Sequence, residues 1–222
     1  MKKAVILITI FILGGLIACG ESETETREHK LPQYEGTIAA VGDSLTEGQG
    51  VAEEFAYPAL LEEKLQSQGY RYRVVNAGIS GETSSGTLAR INWILTLKPH
   101  IVILVIGAND GFRGIDPELI KSNILNIIKT LRENNVVIVL GGMQMVQNLG
   151  KDYTTAFANI YPEVARAEDV IFIPFFLSGV AANRALNQAD GIHPTKEGYR
   201  KIVDSIYPYV IEAIERYRAK AN

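Results

Sequence analysis

Four short segments hold the residues best suited to chemistry: Gly42-Asp43-Ser44-Leu45, Asn76-Ala77-Gly78, Gly107-Ala108-Asn109-Asp110 and Asp190-Gly191-Ile192-His193. Between them they supply a hydroxyl nucleophile, a base, an acid able to orient that base, a side-chain amide and glycine backbone donors. Acyl transfer through a serine needs such a set, because a hydroxyl alone is a poor nucleophile and requires an adjacent base. Read by itself, Ser44 is better explained as a helix N-cap, since Asp-Ser before a helix is common.

The base follows by elimination among three histidines. His29 lies in a charged amino-terminal stretch, and His100 follows Pro99 at the start of an apolar run, which places it on the sheet edge opposite Ser44. His193 remains, in the turn-like stretch Asp190-Gly191-Ile192-His193-Pro194, with Asp190 three residues away and able to hold its ring. The order Ser, Asp, His occurs among serine hydrolases, although geometry rather than order defines a triad. Gly78 and Asn109 suit an oxyanion hole. The first lets a backbone N–H approach a ligand without a Cβ, and the second can present a side-chain amide. Each also fits an ordinary turn.

Positioning these residues requires a sheet. Apolar, β-rich runs at Thr37 to Val41, Tyr72 to Asn76, Ile101 to Ile106, Val136 to Leu140 and Val170 to Ile173 read as five strands, three of them ending at a functional segment. Helical patterns alternate with them. They cover Tyr57 to Gln68, Thr83 to about Leu97, Glu118 to Glu133 behind Asp116-Pro117, Tyr153 to Ala167 with a kink at Pro162, and Thr195 to Arg218 with an interruption near Pro208. The alternation predicts an α/β fold, a three-layer αβα sandwich with a parallel sheet, whose carboxyl edge is where open sheets bind ligands. After the fourth strand, Met143, Met145, Val146 and Leu149, with Phe112 beside Asn109, are placed to form an apolar wall for a substrate or simply to pack their loop.

A chain of 222 residues with no internal linker suits one globular domain, and a net charge of −3 without a basic run gives no footprint for nucleic acid. The amino terminus is separate. Lys2 and Lys3 precede an apolar run from Ala4 to Ala18, shorter than the ~20 residues a membrane-crossing helix needs, so it reads as an export signal. The run ends in Leu16-Ile17-Ala18-Cys19, which resembles the lipobox of bacterial lipoproteins. Residues 1–18 would then be the signal peptide, and Cys19, the only cysteine, the lipidated first residue of the mature chain. An uncleaved anchor or an ordinary signal peptide is the alternative. Residues 19–35 read as a flexible tether, Glu21 to Lys30 being almost wholly charged or hydroxylic, which leaves residues 36–222 as the domain. The expected location is an exported, membrane-anchored lipoprotein facing the periplasm or the cell surface.

The four segments, in this order and at one-domain spacing, resemble the SGNH, or GDSL, hydrolases. Ser44, Gly78, Asn109 and His193 stand at the positions of the four family blocks, with Asp190 as the acid of the last. Similarity to the compact bacterial thioesterase, lysophospholipase and arylesterase group extends through Ala56-Tyr57-Pro58-Ala59-Leu60-Leu61 and Asn76 to Thr83. The resemblance implies a five-stranded flavodoxin-like sheet and a Ser44-His193-Asp190 triad working through an acyl-enzyme. It further implies an oxyanion hole of the Ser44 and Gly78 N–H groups with the Asn109 amide, no cofactor and no metal, and a small-molecule or lipid ester or thioester as substrate. Met143 to Leu149 departs from that group's pattern. A carbohydrate O-deacetylase, a metal-dependent phosphohydrolase using Asp43, Asp110, Asp190 and His193, and a binding module without turnover are the alternatives.

Overall fold

The five apolar runs become five parallel strands, β1 (Gly36–Gly42), β2 (Tyr72–Gly78), β3 (Ile101–Val105), β4 (Val137–Gly141) and β5 (Ile171–Ile173), ordered β2-β1-β3-β4-β5. They are seen in a computed structural model that describes residues 34–145 and 149–221. The apolar run with its signal peptide, Cys19, His29 and Val146 lie outside the described residues. Every position of β3 and β4 is buried, as expected of central parallel strands covered on both faces.

The helices are α1 (Ser44–Glu47), α2 (Tyr57–Ser67), α3 (Ser84–Ala89), α4 (Ile91–Thr96), α5 (Ala108–Phe112), α6 (Pro117–Glu133), α7 (Lys151–Glu168) and α8 (Lys196–Ala221). From β1 the chain moves to one side, through α2 to β2, then crosses back past β1 through α3 and α4 to β3. Right-handed crossovers therefore send α2 to one face of the sheet and α3, α4, α6 and α7 to the other. The contacts agree, with α6 packed on α3, α4 and α7, and α8 returning onto α2, β4 and β5. The winding direction reverses at β1, so the crevice beyond the ends of β1 and β3 is the place for a ligand.

Local chemistry accounts for the helix starts. Thr83 Oγ1 accepts the Gly86 N–H at 3.3 Å, and Asp116 Oδ1 accepts the Glu118 N–H at 3.0 Å with Pro117 in the first turn. Helix α6 then buries Ile120, Ile124, Ile127, Ile128 and Leu131, the three-and-four spacing of one face. Three expectations are corrected. The helix foreseen from Thr83 to Leu97 is broken at Arg90, which leaves helical geometry and turns its guanidinium onto Glu82 and the Ala77 carbonyl. Helix α8 is not interrupted at Pro208. A proline deletes one N–H, while Ile206, Val210 and Ile214 on both sides are wholly buried and hold the two halves against the domain. Finally, Tyr34 and Glu35 belong to the domain rather than the tether. The Glu35 N–H donates to the Arg71 carbonyl at 2.6 Å, its carboxylate pairs with Arg71 and Arg218, and the Tyr34 hydroxyl donates to Glu62.

Gly42, the last residue of β1, sits between the Val105 carbonyl and the Thr46 side chain, and a Cβ there would collide with both. Gly42→Ala should therefore cost about 1–3 kcal/mol of stability, read as a lower urea midpoint at unchanged slope. A variant as stable as the parent would contradict this packing of β1 against α1 and β3.

Candidate active site

Where β1 ends, Asp43 stands outside helical geometry and its Oδ1 accepts the Leu45 N–H at 3.0 Å. Asp43, not Ser44, thus caps α1, and Ser44 is free for another purpose as the first helical residue. Its hydroxyl lies 2.9 Å from His193 Nε2, while His193 Nδ1 lies 2.7 Å from Asp190 Oδ2. With the Nδ1–H donated to the carboxylate, Nε2 is left as an acceptor for the Ser44 O–H. The remaining oxygen of Asp190 accepts the backbone N–H groups of His193 at 3.0 Å and Ile192 at 2.8 Å. The His193 N–H, the His193 ring and the Ile192 N–H together hold the Asp190 carboxyl down to about 2, so it stays ionised across the range in which an imidazole titrates. Ser44, Asp190 and His193 are thereby brought together, whereas His100 is engaged at the other end of the strands, its Nδ1 accepting the Thr37 N–H at 2.9 Å.

Asn109 arrives from the neighbouring strand end. Gly107 has φ +113, a region costly for side-chain-bearing residues, and any Cβ would strike the Tyr161 hydroxyl, which donates to the Ile106 carbonyl at 2.9 Å. This turn directs Asn109 toward the end of β1. Its Nδ2 donates to the Glu82 carbonyl at 3.0 Å and lies 3.4 Å from Asp43 Oδ2. Asp43 itself is enclosed, and burial pushes its carboxyl up to about 6.

Gly78 departs from expectation. Its N–H already donates to Asn76 Oδ1 at 3.0 Å, and its Cα is pressed against the backbone of Thr46 and Glu47, which explains the glycine by packing rather than by ligand approach. The next glycine, Gly81, has φ +75, its carbonyl accepts from Arg113 Nη2 at 2.9 Å, and it directly precedes the Glu82 carbonyl that holds Asn109. The turn at 79–82 is therefore the backbone that lies against Asn109, through the Glu82 carbonyl. Both glycines fall within Asn76 to Thr83, and sequence favours the one that follows the strand directly.

A cavity of about 460 Å³ opens beside Ser44, Asn109 and His193. Phe112, Met143 and Met145 line it as anticipated, with Gln144 among them; Leu149 is not among the lining residues and sits in the turn before α7. Leu45, Phe175, Leu177 and Ile192 add the other large apolar side chains of the lining. Phe175 and Leu177 were not foreseen, because the stretch between β5 and α8 carries no periodic pattern. Among the described residues no group of three or more His, Cys, Asp and Glu side chains could hold a metal. Asp110, one of the proposed ligands, instead accepts the Ser84 N–H at 2.8 Å and the Ser84 hydroxyl at 2.6 Å.

Residues 40–201 match the family model of the GDSL-like lipase/acylhydrolases. The chain is 38% identical over 173 residues to esterase TesA of Pseudomonas aeruginosa, an alignment covering 78% of this chain and 86% of that protein. It is 37% identical over 169 residues to thioesterase 1/protease 1/lysophospholipase L1 of Escherichia coli, covering 76% and 80%. A crystal structure of TesA superposes with a TM-score of 0.77 at 37% identity, covering 80% of this chain and 99% of that one.

The enclosed Asp43 has a consequence for stability. Its carboxyl is raised from an ordinary value near 3.9 to about 6 in the fold, so the folded state binds the proton more tightly than the unfolded chain. Its contribution is present below about pH 4 and is lost as pH rises through about 6. Asp43→Asn should remove that loss, so thermal melts should show the parent losing stability relative to the variant between pH 4 and about 6.5. A constant difference across that window would contradict the buried, proton-favouring site.

Proposed function

The chain belongs to the GDSL-like lipase/acylhydrolase family and is a serine ester hydrolase, and we propose that Ser44, His193 and Asp190 carry its reaction on carboxylic esters and thioesters. The observation that carries this reading is the unbroken hydrogen-bonded series from Asp190 through His193 to Ser44 at the mouth of an apolar cavity. His193 Nε2 takes the proton as Ser44 Oγ attacks the carbonyl carbon. The Asn109 amide and the Ser44 N–H hold the oxyanion, and the Gly81 N–H takes the part first given to Gly78. The carbon–oxygen or carbon–sulfur bond then breaks, the leaving alcohol or thiol receives the proton from His193, and water enters by the same route to release the acid. Asp190, ionised throughout, stabilises the imidazolium formed in each half-reaction.

The apolar lining supports an acyl chain in the cavity rather than a sugar, with Phe112, Met143 and Met145 on one wall and Phe175 and Leu177 contributing to the rest. Methionine adapts to chains of differing shape. Ser44→Ala should lower kcat on p-nitrophenyl esters by at least ~10⁴-fold while the melting temperature stays close to the parent's. A folded Ser44→Ala protein that retains a tenth of the activity would remove Ser44 from the reaction.

The amino-terminal pattern supports an exported lipoprotein, with residues 1–18 removed and Cys19 carrying lipid that holds the domain at a membrane. At about 5–6 Å times the square root of length, a tether of this size keeps the domain on the order of 20 Å from the bilayer, within reach of membrane-derived esters. Cys19→Ser in the full-length chain should abolish incorporation of labelled fatty acid and move the protein to the soluble fraction. Membrane retention without label would favour an uncleaved anchor.

A further inference from the structure

The turn that holds Asn109 is itself held by a buried ion pair that the reaction does not use. Glu82 and Arg90 are both enclosed, their side chains 6% and 14% exposed, and the pairing is two-pronged: Arg90 Nε donates to Glu82 Oε1 and Arg90 Nη2 to Oε2, each at 2.5 Å. The Thr87 hydroxyl donates to the same carboxylate at 3.0 Å, and Arg90 Nη2 also reaches the Ala77 carbonyl at 2.7 Å. The guanidinium therefore ties the end of β2 to Glu82, closing the turn whose Glu82 N–H donates to the Ile79 carbonyl at 3.1 Å. The backbone carbonyl of Glu82 in turn receives one hydrogen of Asn109 Nδ2 at 3.0 Å.

That last bond decides which way the amide faces. An amide nitrogen carries two hydrogens. With one committed to Glu82, the other points past Asp43 Oδ2, a contact of 3.4 Å that an oxyanion can displace. Were the Glu82 carbonyl to move, the amide could turn and offer its oxygen to the reacting carbonyl, which would repel the developing charge. Stability alone gives little reason to keep the pair, since a buried ion pair is often matched by apolar residues of similar volume. Here Arg90 Nη1 is buried with no hydrogen-bond partner among the described residues, an additional cost.

We propose that Glu82 and Arg90 are positioning residues, which fix the carbonyl that orients the Asn109 amide for the oxyanion. The proposal rests on the reading of Asn109 as an oxyanion donor. Removing one such donor outright costs ~10²–10³ in rate, which sets the scale for misplacing it.

The test is a double-mutant cycle on a p-nitrophenyl ester, with kcat, KM and the melting temperature measured for Glu82→Gln, Asn109→Ala and the pair together. Glu82→Gln should lower kcat about 10- to 100-fold with KM within about twofold, and should cost less than about threefold in the Asn109→Ala background. Because Glu82→Gln leaves Arg90 unpaired and could unfold the protein, the double replacement Glu82→Leu with Arg90→Met, which removes both charges, is run in the same cycle and should show the same dependence on Asn109. An equal loss in both backgrounds, or no loss in a folded variant, would overturn the proposal. An Asn109→Ala protein with unchanged kcat would overturn the reading of Asn109 itself, and the proposal with it.

Discussion

Reversal of the chain's winding at β1 is the constraint on which the rest depends. Because β2 lies on one side of β1 and β3 on the other, the helices that follow β1 and β2 leave the sheet on opposite faces and a crevice opens between the ends of β1 and β3. Ser44 occupies the first of those ends and Asn109 the second. The loop before α8 then brings His193 and Asp190 across the crevice from a distance of about 150 residues, His193 being 149 residues from Ser44 along the chain. Such a site can form only once the whole sheet has assembled. Close backbone approach at Gly42 and at Gly107 is part of the same requirement, since a side chain at either point would push β1 from its neighbours or Asn109 from the crevice.

Several features at this edge oppose stability and are intelligible as chemistry. Asp43 is a carboxyl whose burial disfavours its ionised form, and Arg90 keeps one guanidinium nitrogen buried and, among the described residues, without a hydrogen-bond partner. Asp43 is one hydrogen bond from Asn109, and Arg90 is joined to it through Glu82. The carboxylate of Asp190 is the opposite case, exposed yet strongly stabilised by two backbone N–H groups and an imidazole. The arrangement separates two carboxyls by environment: the buried one beside Asn109 is biased toward its neutral form, and the hydrogen-bonded one is kept charged beside the His193 ring.

The parts of this site that could be read from sequence are those whose chemistry is intrinsic to the residue type. A serine after an apolar run and an acid and a base in one turn-like segment mark themselves, and five strands with alternating helices follow from apolar runs and periodicity. A glycine does not mark itself in this way, because its value depends on which backbone it meets. Gly78 and Gly81 are indistinguishable until the first is found packed on α1 and the second beside the Asn109 contact. Pairings between distant residues were equally hidden. Glu35 looks like a tether residue until Arg71 and Arg218 are seen to hold it, and Arg90 looks like a helix interior until Glu82 draws it out. Phe175 and Leu177 lie in a stretch without period, so only the fold reveals that they line the cavity.

The central claim is that Ser44 is a nucleophile activated by His193. Its most direct test is covalent trapping: the protein is treated with a p-nitrophenyl alkylphosphonate, and the modified residue is located by peptide mass spectrometry. The account predicts stoichiometric release of nitrophenol, a single adduct on the peptide containing Ser44, and modification slowed at least ~10²-fold in His193→Ala. An adduct on any other residue, or unchanged modification of Ser44 without His193, would contradict it.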